Sequence, residues 1–259
     1  MQQKKSAPSP AAQGLCRDCG TEHVLHEGDA RHYCGELMRL LEKEQRLDLH
    51  AEREEADPRL STAGLFGKAG GKMFGVMVCR AGDGSTRILR AFSGQYNGLW
   101  EVEGWAPPIF QVDTFNRIYA DIEPRIKELG GTILTTKRQS EAWTELIHRR
   151  KQLSRQWMRD IHGLYTLTNF RGEQRPLTKA FTASGGIPTG TGDCCAPKLL
   201  NQAAKEHLLP LGMAEFYWGR ENSSQTRRHG RFYPSCDHKC APILGFMLCG
   251  IEERLIQAG

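Results

Sequence analysis

Two short stretches concentrate the residues able to do chemistry: "GTGDCCAPKLL", with Cys194 and Cys195, and "PSCDHKC", with Cys236 and Cys240. Thiolates are metal ligands and nucleophiles, and four of them in two clusters point to a metal site before a covalent mechanism. Cys195, Cys236 and Cys240 are the expected ligands, with Cys194, Asp193 or His229 available to close the tetrahedron. A second group precedes them. Cys16 and Cys19 form a Cys-x2-Cys pair that can chelate one ion in a turn, Cys34 follows, and His23, His26 and His32 lie between. One histidine would complete a tetrahedron, and His32 is the candidate taken together with Cys16, Cys19 and Cys34. The cofactor these donor sets suit is zinc, as one or two ions. Cys79 and Cys249 lie in apolar runs and read as core residues.

The compartment matters to that reading. The chain has 259 residues and nine cysteines, and no apolar segment follows the two lysines of "MQQKKSAPSPAAQG". Residues 1–14 therefore read as a disordered tail on a cytoplasmic protein, whose thiols stay reduced and available to metal. No run approaches the roughly eighteen apolar residues of a membrane span. A hydrophobic fraction of 39% suffices for a core. The net charge of +5 is concentrated: residues 137–175 hold nine Lys/Arg against four Asp/Glu, and the remainder is balanced. A localised basic face of this kind suits a phosphate backbone.

Elements that would position these groups follow from periodicity. Residues 15–62 read as a Cys/His knuckle, a helix with Leu37, Leu40 and Leu41 on one face, and a linker; residues 63–259 read as an α/β domain. The latter opens with strands "KMFGVMVCRA" and "STRILRAFSGQ", joined by "GDG" as a hairpin. Phe115, Ile118, Ile122 and Ile126 mark a helical face. Between 138 and 163 a long amphipathic helix carries Trp143, Leu146, Ile147, Leu153, Trp157 and Ile161 as its stripe, with Arg149, Arg150, Lys151, Arg155 and Arg159 over the rest. "TGDCCAPKLLNQAAKEHL" predicts a helix capped by Asp193, with Pro197 tolerated in its first turn. "PLGMAEFYWG" predicts a buried strand, and the pair Cys236 and Cys240 stands at the entry to a final helix.

That order (hairpin, helix starting at cysteine, strand, Pro-x-Cys-x3-Cys turn, helix) resembles the zinc-dependent nucleobase deaminase fold, a three-layer α/β core in which two helix starts hold one zinc. The resemblance implies a glutamate two residues after the first ligand, as general acid/base. Here Pro197 or Ala196 stands there, so Glu215 or Asp193 is the expected substitute. The remaining part, residues 138–163, is an insertion.

"GKMFGVMV", "PPIF", "TGDCCAPKLL", "PLGMAEFYWG" and "RRHGRFYPSCDHKCAPIL" resemble, in order, the amino-terminal accessory region fused to some bacterial RluA-type RNA pseudouridine synthases, over residues 70–250. The synthase domain itself is not covered, and the "RLD" at Asp48 lies before the matching region, so pseudouridine synthesis by this chain is not expected. The resemblance implies association with RNA modification. RNA contacts are expected from the five cations of the long helix and from Arg227, Arg228, Arg231 and Tyr233. Three readings stand: a zinc-binding, deaminase-like module acting on RNA; a non-catalytic zinc-stabilised adaptor docked on a modification or ribosomal complex; and a nucleotide or nucleoside deaminase.

Overall fold

The computed structural model describes residues 10–257, and it is a mixed α/β fold. The chain begins with an antiparallel hairpin, β1 (Pro10–Leu15) and β2 (Glu22–His26), followed by α1 (Ala30–Glu44). Short 3-10 turns between residues 53 and 66 lead to β3 (Lys72–Arg80) and β4 (Thr86–Phe92), the expected hairpin. Helices α2 (Val112–Thr135) and α3 (Glu141–Gly163) come next, then the two-stranded β5 (Thr166–Thr168) and β6 (Gln174–Pro176) with a single turn α4 (Leu177–Ala180). Helix α5 (Cys195–Lys205), strand β7 (Leu209–Trp218), short β8 (Phe232–Tyr233), and helices α6 (Ala241–Leu248) and α7 (Ile251–Gln257) complete it.

The main sheet has the order β4-β3-β7-β8, with every neighbouring pair antiparallel. Successive side chains of a strand point to opposite faces, and both faces here are covered. Phe74, Val76 and Val78 of β3 and Ala214, Phe216 and Trp218 of β7 pack with Ala30, Cys34, Leu37 and Leu41 of α1. Met77, Cys79 and Met213 face the other way, against Leu199, Ala203, Ile243 and Met247 of α5 and α6. Three layers result, and Glu215 falls in the α5-facing row as a charged residue among apolar ones.

One expectation about the amino-terminal part is corrected. Residues 1–9 lie outside the described residues, but residues 10–14, read as tail, form the strand β1. The segments on either side of residue 62 pack together: α1 covers one face of the sheet with Leu60 and Leu65, and β1 lies on α6. The approach of β1 to α6 requires glycine on both sides. A Cβ on Gly14 would stand 2.4 Å from the Gly245 nitrogen, and one on Gly245 would stand 2.2 Å from the Leu15 carbonyl carbon.

Helices α2 and α3 form an antiparallel arm. Ser140 caps α3 by accepting from the Trp143 N–H, so this helix starts three residues later than its periodicity predicts. No residue of α2 is fully buried, and the arm joins the core at its base, where Phe115 packs on Trp100 and Phe110 and Tyr119 meets Trp157. Among the described residues no helix is long and apolar enough to cross a membrane.

Gly245→Ala is expected to lower the melting temperature by about 5 °C or more, since overpacking a close contact costs roughly 1–3 kcal/mol. Gly131→Ala, in open space on α2, is expected to cause no loss. Thermal denaturation followed by circular dichroism separates the two.

Candidate metal centres

Two helix starts meet above the α5-facing side of the sheet. Cys194 is the N-cap of α5, in extended backbone conformation, and Cys240 is the N-cap of α6. Cys236 precedes it by one turn, its carbonyl accepting from the N–H groups of Cys240 and Ala241. The Sγ atoms of Cys194, Cys236 and Cys240 all lie within 4.8 Å of one another, with Cys236 and Cys240 3.5 Å apart. Contacts with the Cys194 and Cys240 sulfurs hold Cys236 far below the ordinary thiol range, and the contact with Cys236 pushes Cys194 and Cys240 up. Three sulfurs this close, with one favoured as thiolate, form a donor set that a cation can neutralise. This group can hold a metal ion through three thiolates and leaves a fourth tetrahedral position to something else.

Cys195, the ligand expected from sequence, is not among the three. As the first residue of α5 it points down into the sheet, fully buried, with its thiol donating to the carbonyls of Met73 at 3.4 Å and Ala91 at 3.7 Å. Burial pushes its pKa well up, so it behaves as a small core residue. Adjacent residues at a helix start diverge because the cap is extended and the next residue is helical, and that divergence selects Cys194 for the cluster.

The expected carboxylates also separate. Asp193 does not cap α5; its Oδ1 accepts from the Tyr165 hydroxyl at 2.6 Å, and its backbone carbonyl accepts from the Gly94 N–H. Lys198, wholly buried, donates to the carbonyls of Phe92 and Gly94 on the same loop, and burial lowers it to about 8. Asp193 thus belongs to the scaffold beneath the α5 start. Glu215 is different. Its side chain accepts from the Ser235 hydroxyl at 3.1 Å, and the backbone of Ala196, in the first turn of α5, lies close enough to favour its ionised form. Burial raises its pKa to about 7, with Cys236 adding repulsion. A carboxyl group tuned to neutrality beside a metal-ligating cluster has the protonation range of a general acid/base.

The second group joins the two ends of the described chain. Cys16, Cys19 and His23 come from the β1–β2 hairpin, and Cys249 from the break between α6 and α7; their ligand atoms also lie within 4.8 Å of one another. His23 Nε2 stands 3.2 Å from Cys19 Sγ, and Cys249 and Cys19 are 3.8 Å apart. The other ring nitrogen, Nδ1, bonds both oxygens of the Glu252 carboxylate at 2.9 and 3.0 Å. An imidazole donating Nδ1–H to a carboxylate presents the Nε2 lone pair to a metal, and the carboxylate fixes the ring. Burial opposes ionisation of Cys19, but hydrogen bonds from Thr21 and His23 bring it down to about 6. Three cysteines and a histidine fill a tetrahedron, so this group can hold a metal ion in a closed site.

Here the sequence-based ligand set needs two replacements. Cys34 is buried on the sheet-facing side of α1, donating to the Ala214 carbonyl, with its pKa pushed by burial to about 12. His32 is exposed beside Glu36. Both belong to a helix that turns away from the hairpin to cover the sheet. Cys249, read as core, takes the place of Cys34, and His23 that of His32. The Cys-x2-Cys-x3-His spacing of Cys16, Cys19 and His23 was a local signal for the histidine. Nothing local marked Cys249, which is 230 residues from Cys19.

Of the residues expected to contact RNA, Arg149, Arg150, Lys151, Arg155 and Arg159 are exposed along α3. Arg227 lies over the Tyr233 ring at 4.3 Å, the Arg228 N–H donates to the Tyr233 hydroxyl, and Arg231 is exposed. Tyr233 pairs with Glu215 across β8 and β7, which places this loop next to the three-cysteine group. Compared with family models, curated proteins and solved structures, the chain matches none.

Cys249→Ser is expected to lower the bound metal by about one ion per chain, while Cys34→Ser leaves it unchanged. Glu252→Gln is expected to loosen the same ion about 10–100-fold without removing a ligand. Elemental analysis and competition with a chromogenic chelator read both.

Proposed function

We propose that the chain is a zinc protein with a deaminase-like core, in which Cys194, Cys236 and Cys240 form the working centre and Cys16, Cys19, His23 and Cys249 a structural one, and that it takes part in RNA base modification. Sulfur-rich tetrahedral donor sets favour zinc among the common divalent ions. The closed set suits a structural ion and the three-thiolate set a site with an open position.

The observation that carries the enzymatic reading is the place of Glu215. The deaminase pattern wants a glutamate two residues beyond the first cysteine, and from Cys194 that residue is Ala196. The carboxyl group of Glu215, bonded by the Ser235 hydroxyl, lies near that residue, so the strand β7 brings an acid close to the position where the helix lacks one. The order β3–β4 hairpin, α5, β7, α6 supports the same comparison. When bound, zinc supplies a Lewis acid that lowers the pKa of a water molecule. Glu215 would accept a proton from the attacking water and return it to the departing amine. In the net reaction water replaces the exocyclic amino group of a base, giving a carbonyl and ammonia. Resemblance to the accessory region of RNA pseudouridine synthases and the cations of α3 support RNA over a free nucleoside as the setting.

A second reading, the zinc-stabilised adaptor, is favoured by the bond that already engages Glu215. A carboxylate held by Ser235 beside the first turn of α5 can equally serve to stabilise that helix start.

The test is ammonia release, and a mass gain of about one dalton on the base, from zinc-loaded protein given cytidine- and adenosine-containing RNA oligonucleotides and the free nucleosides. Turnover should appear on RNA, and Glu215→Gln should reduce it about 10²–10⁴-fold while leaving metal content unchanged. Absence of turnover on every substrate, with protein partners retained after RNase treatment, would establish the adaptor instead.

A further inference from the structure

Five cations of α3 stand without an acidic partner. Arg149, Arg150, Lys151, Arg155 and Arg159 are all exposed, and none of them pairs with a carboxylate among the described residues. Arg159 reaches only the side-chain oxygen of its helical neighbour Gln156. Lys151, Arg155 and Arg159 follow one another at intervals of four, the spacing at which like charges on a helix repel. Among the described residues no ion pair offsets that repulsion.

The two flanks of the helix repeat the pattern. Between α2 and α3 runs a groove of about 740 Å³ where Arg125 of α2 joins Arg149, Arg155 and Arg159, with Glu128 as its acid. On the other flank a hollow of about 640 Å³ has Ile147, Met158 and Ile187 as its floor and Arg150, Lys151 and Arg155 at its rim. Arg155 and Arg159 line both, so α3 is a cationic ridge between two cationic grooves. From Arg149 to Arg159 it extends roughly 15 Å. A nucleic-acid duplex carries roughly nine phosphates over that length, one per 1.7 Å.

We infer that this ridge docks the phosphate backbone of a nucleic acid, without reading bases; only the choice of RNA over DNA rests on the function proposed above. Arginine can also pair with guanine edges, so equal weakening of every probe, rather than loss on guanine-containing ones, is the mark of backbone docking. An anionic membrane surface fits less well. A helix lying in a lipid interface exposes an apolar face, whereas Trp143, Leu146, Ile147, Leu153 and Trp157 are half-buried, and Leu134 is the large apolar residue exposed on the arm.

The test is fluorescence anisotropy of the full, zinc-loaded chain with labelled single-stranded RNA, hairpin RNA and a DNA duplex of the same length. For four or five neutralised phosphates, log affinity is expected to fall against log salt with a slope of roughly −3 to −4.5. Arg150→Gln, Lys151→Gln and Arg155→Gln combined should flatten the slope by about 2 to 3 and weaken all probes alike, at least about tenfold near 100 mM salt. Equal binding of RNA and DNA, or a uniform preference for RNA, both fit backbone docking and identify the source. Unchanged affinity and slope in a variant with wild-type helix content would overturn the inference, as would binding to phosphatidylserine vesicles with none to the oligonucleotides. The altered residues lie on α3, remote in sequence from every cysteine, so metal content and ammonia release report separately on the proposed function.

Discussion

Three sulfurs meet because α5 and α6 begin at the same point above the sheet. Each helix brings its amino end, with unpaired N–H groups and positive dipole, to a place where a thiolate is favoured, and Cys236 is the thiol that takes that form. The arrangement suits a cation at its centre, since the three sulfurs lie within 4.8 Å of one another and Cys236 is favoured as the thiolate by its two neighbours. Much else follows from that meeting point. Lys198 and Asp193 bind the loop beneath α5, and Ser235 brings the incoming chain against Glu215.

The same helix α6 connects this centre to the other. It starts at Cys240 and ends at Cys249, so eight helical residues separate one metal-ligating group from the next. β1 lies on α6 through the contact of Gly14 with Gly245, and the turn after β1 supplies Cys16 and Cys19. An ion held by Cys16, Cys19, His23 and Cys249 would therefore clasp the hairpin to the helix that also carries Cys240. Disturbing the clasp should be felt at the three-cysteine group through a rigid element, without any contact between the two sets of ligands.

The arm obeys a different logic. Its apolar stripe is consumed by pairing α2 with α3 and by an aromatic seat of Trp100, Phe110 and Phe115 at the base, leaving the outer face free of packing demands. That freedom is why charge accumulates there. The core has the opposite constraint: Glu215 and Lys198 are buried, and each is retained by hydrogen bonds that replace water.

The long-period patterns were legible. The hairpin of β3 and β4, the strand β7 and the two arm helices could all be drawn from hydrophobic spacing, because alternation and 3.6-residue repeats are local properties of a chain that buries one face. So were the clustering of Cys16 with Cys19 and of Cys236 with Cys240, in groups that could hold a metal ion, and the cationic face of α3. Tertiary structure alone decided the rest. Of two adjacent cysteines, the geometry of the α5 cap put Cys194 in the cluster and Cys195 in the core. Cys249 joined Cys16 and Cys19 because β1 docks on α6, a contact between residues more than 200 positions apart. Cys34 and His32 left the set because α1 was needed to cover the sheet. Sequence by itself determined which residue types could bind metal and which faces must be buried; which thiols share an ion depended on where helix ends and hairpin turns converge, and convergence is a long-range property that no local spacing records.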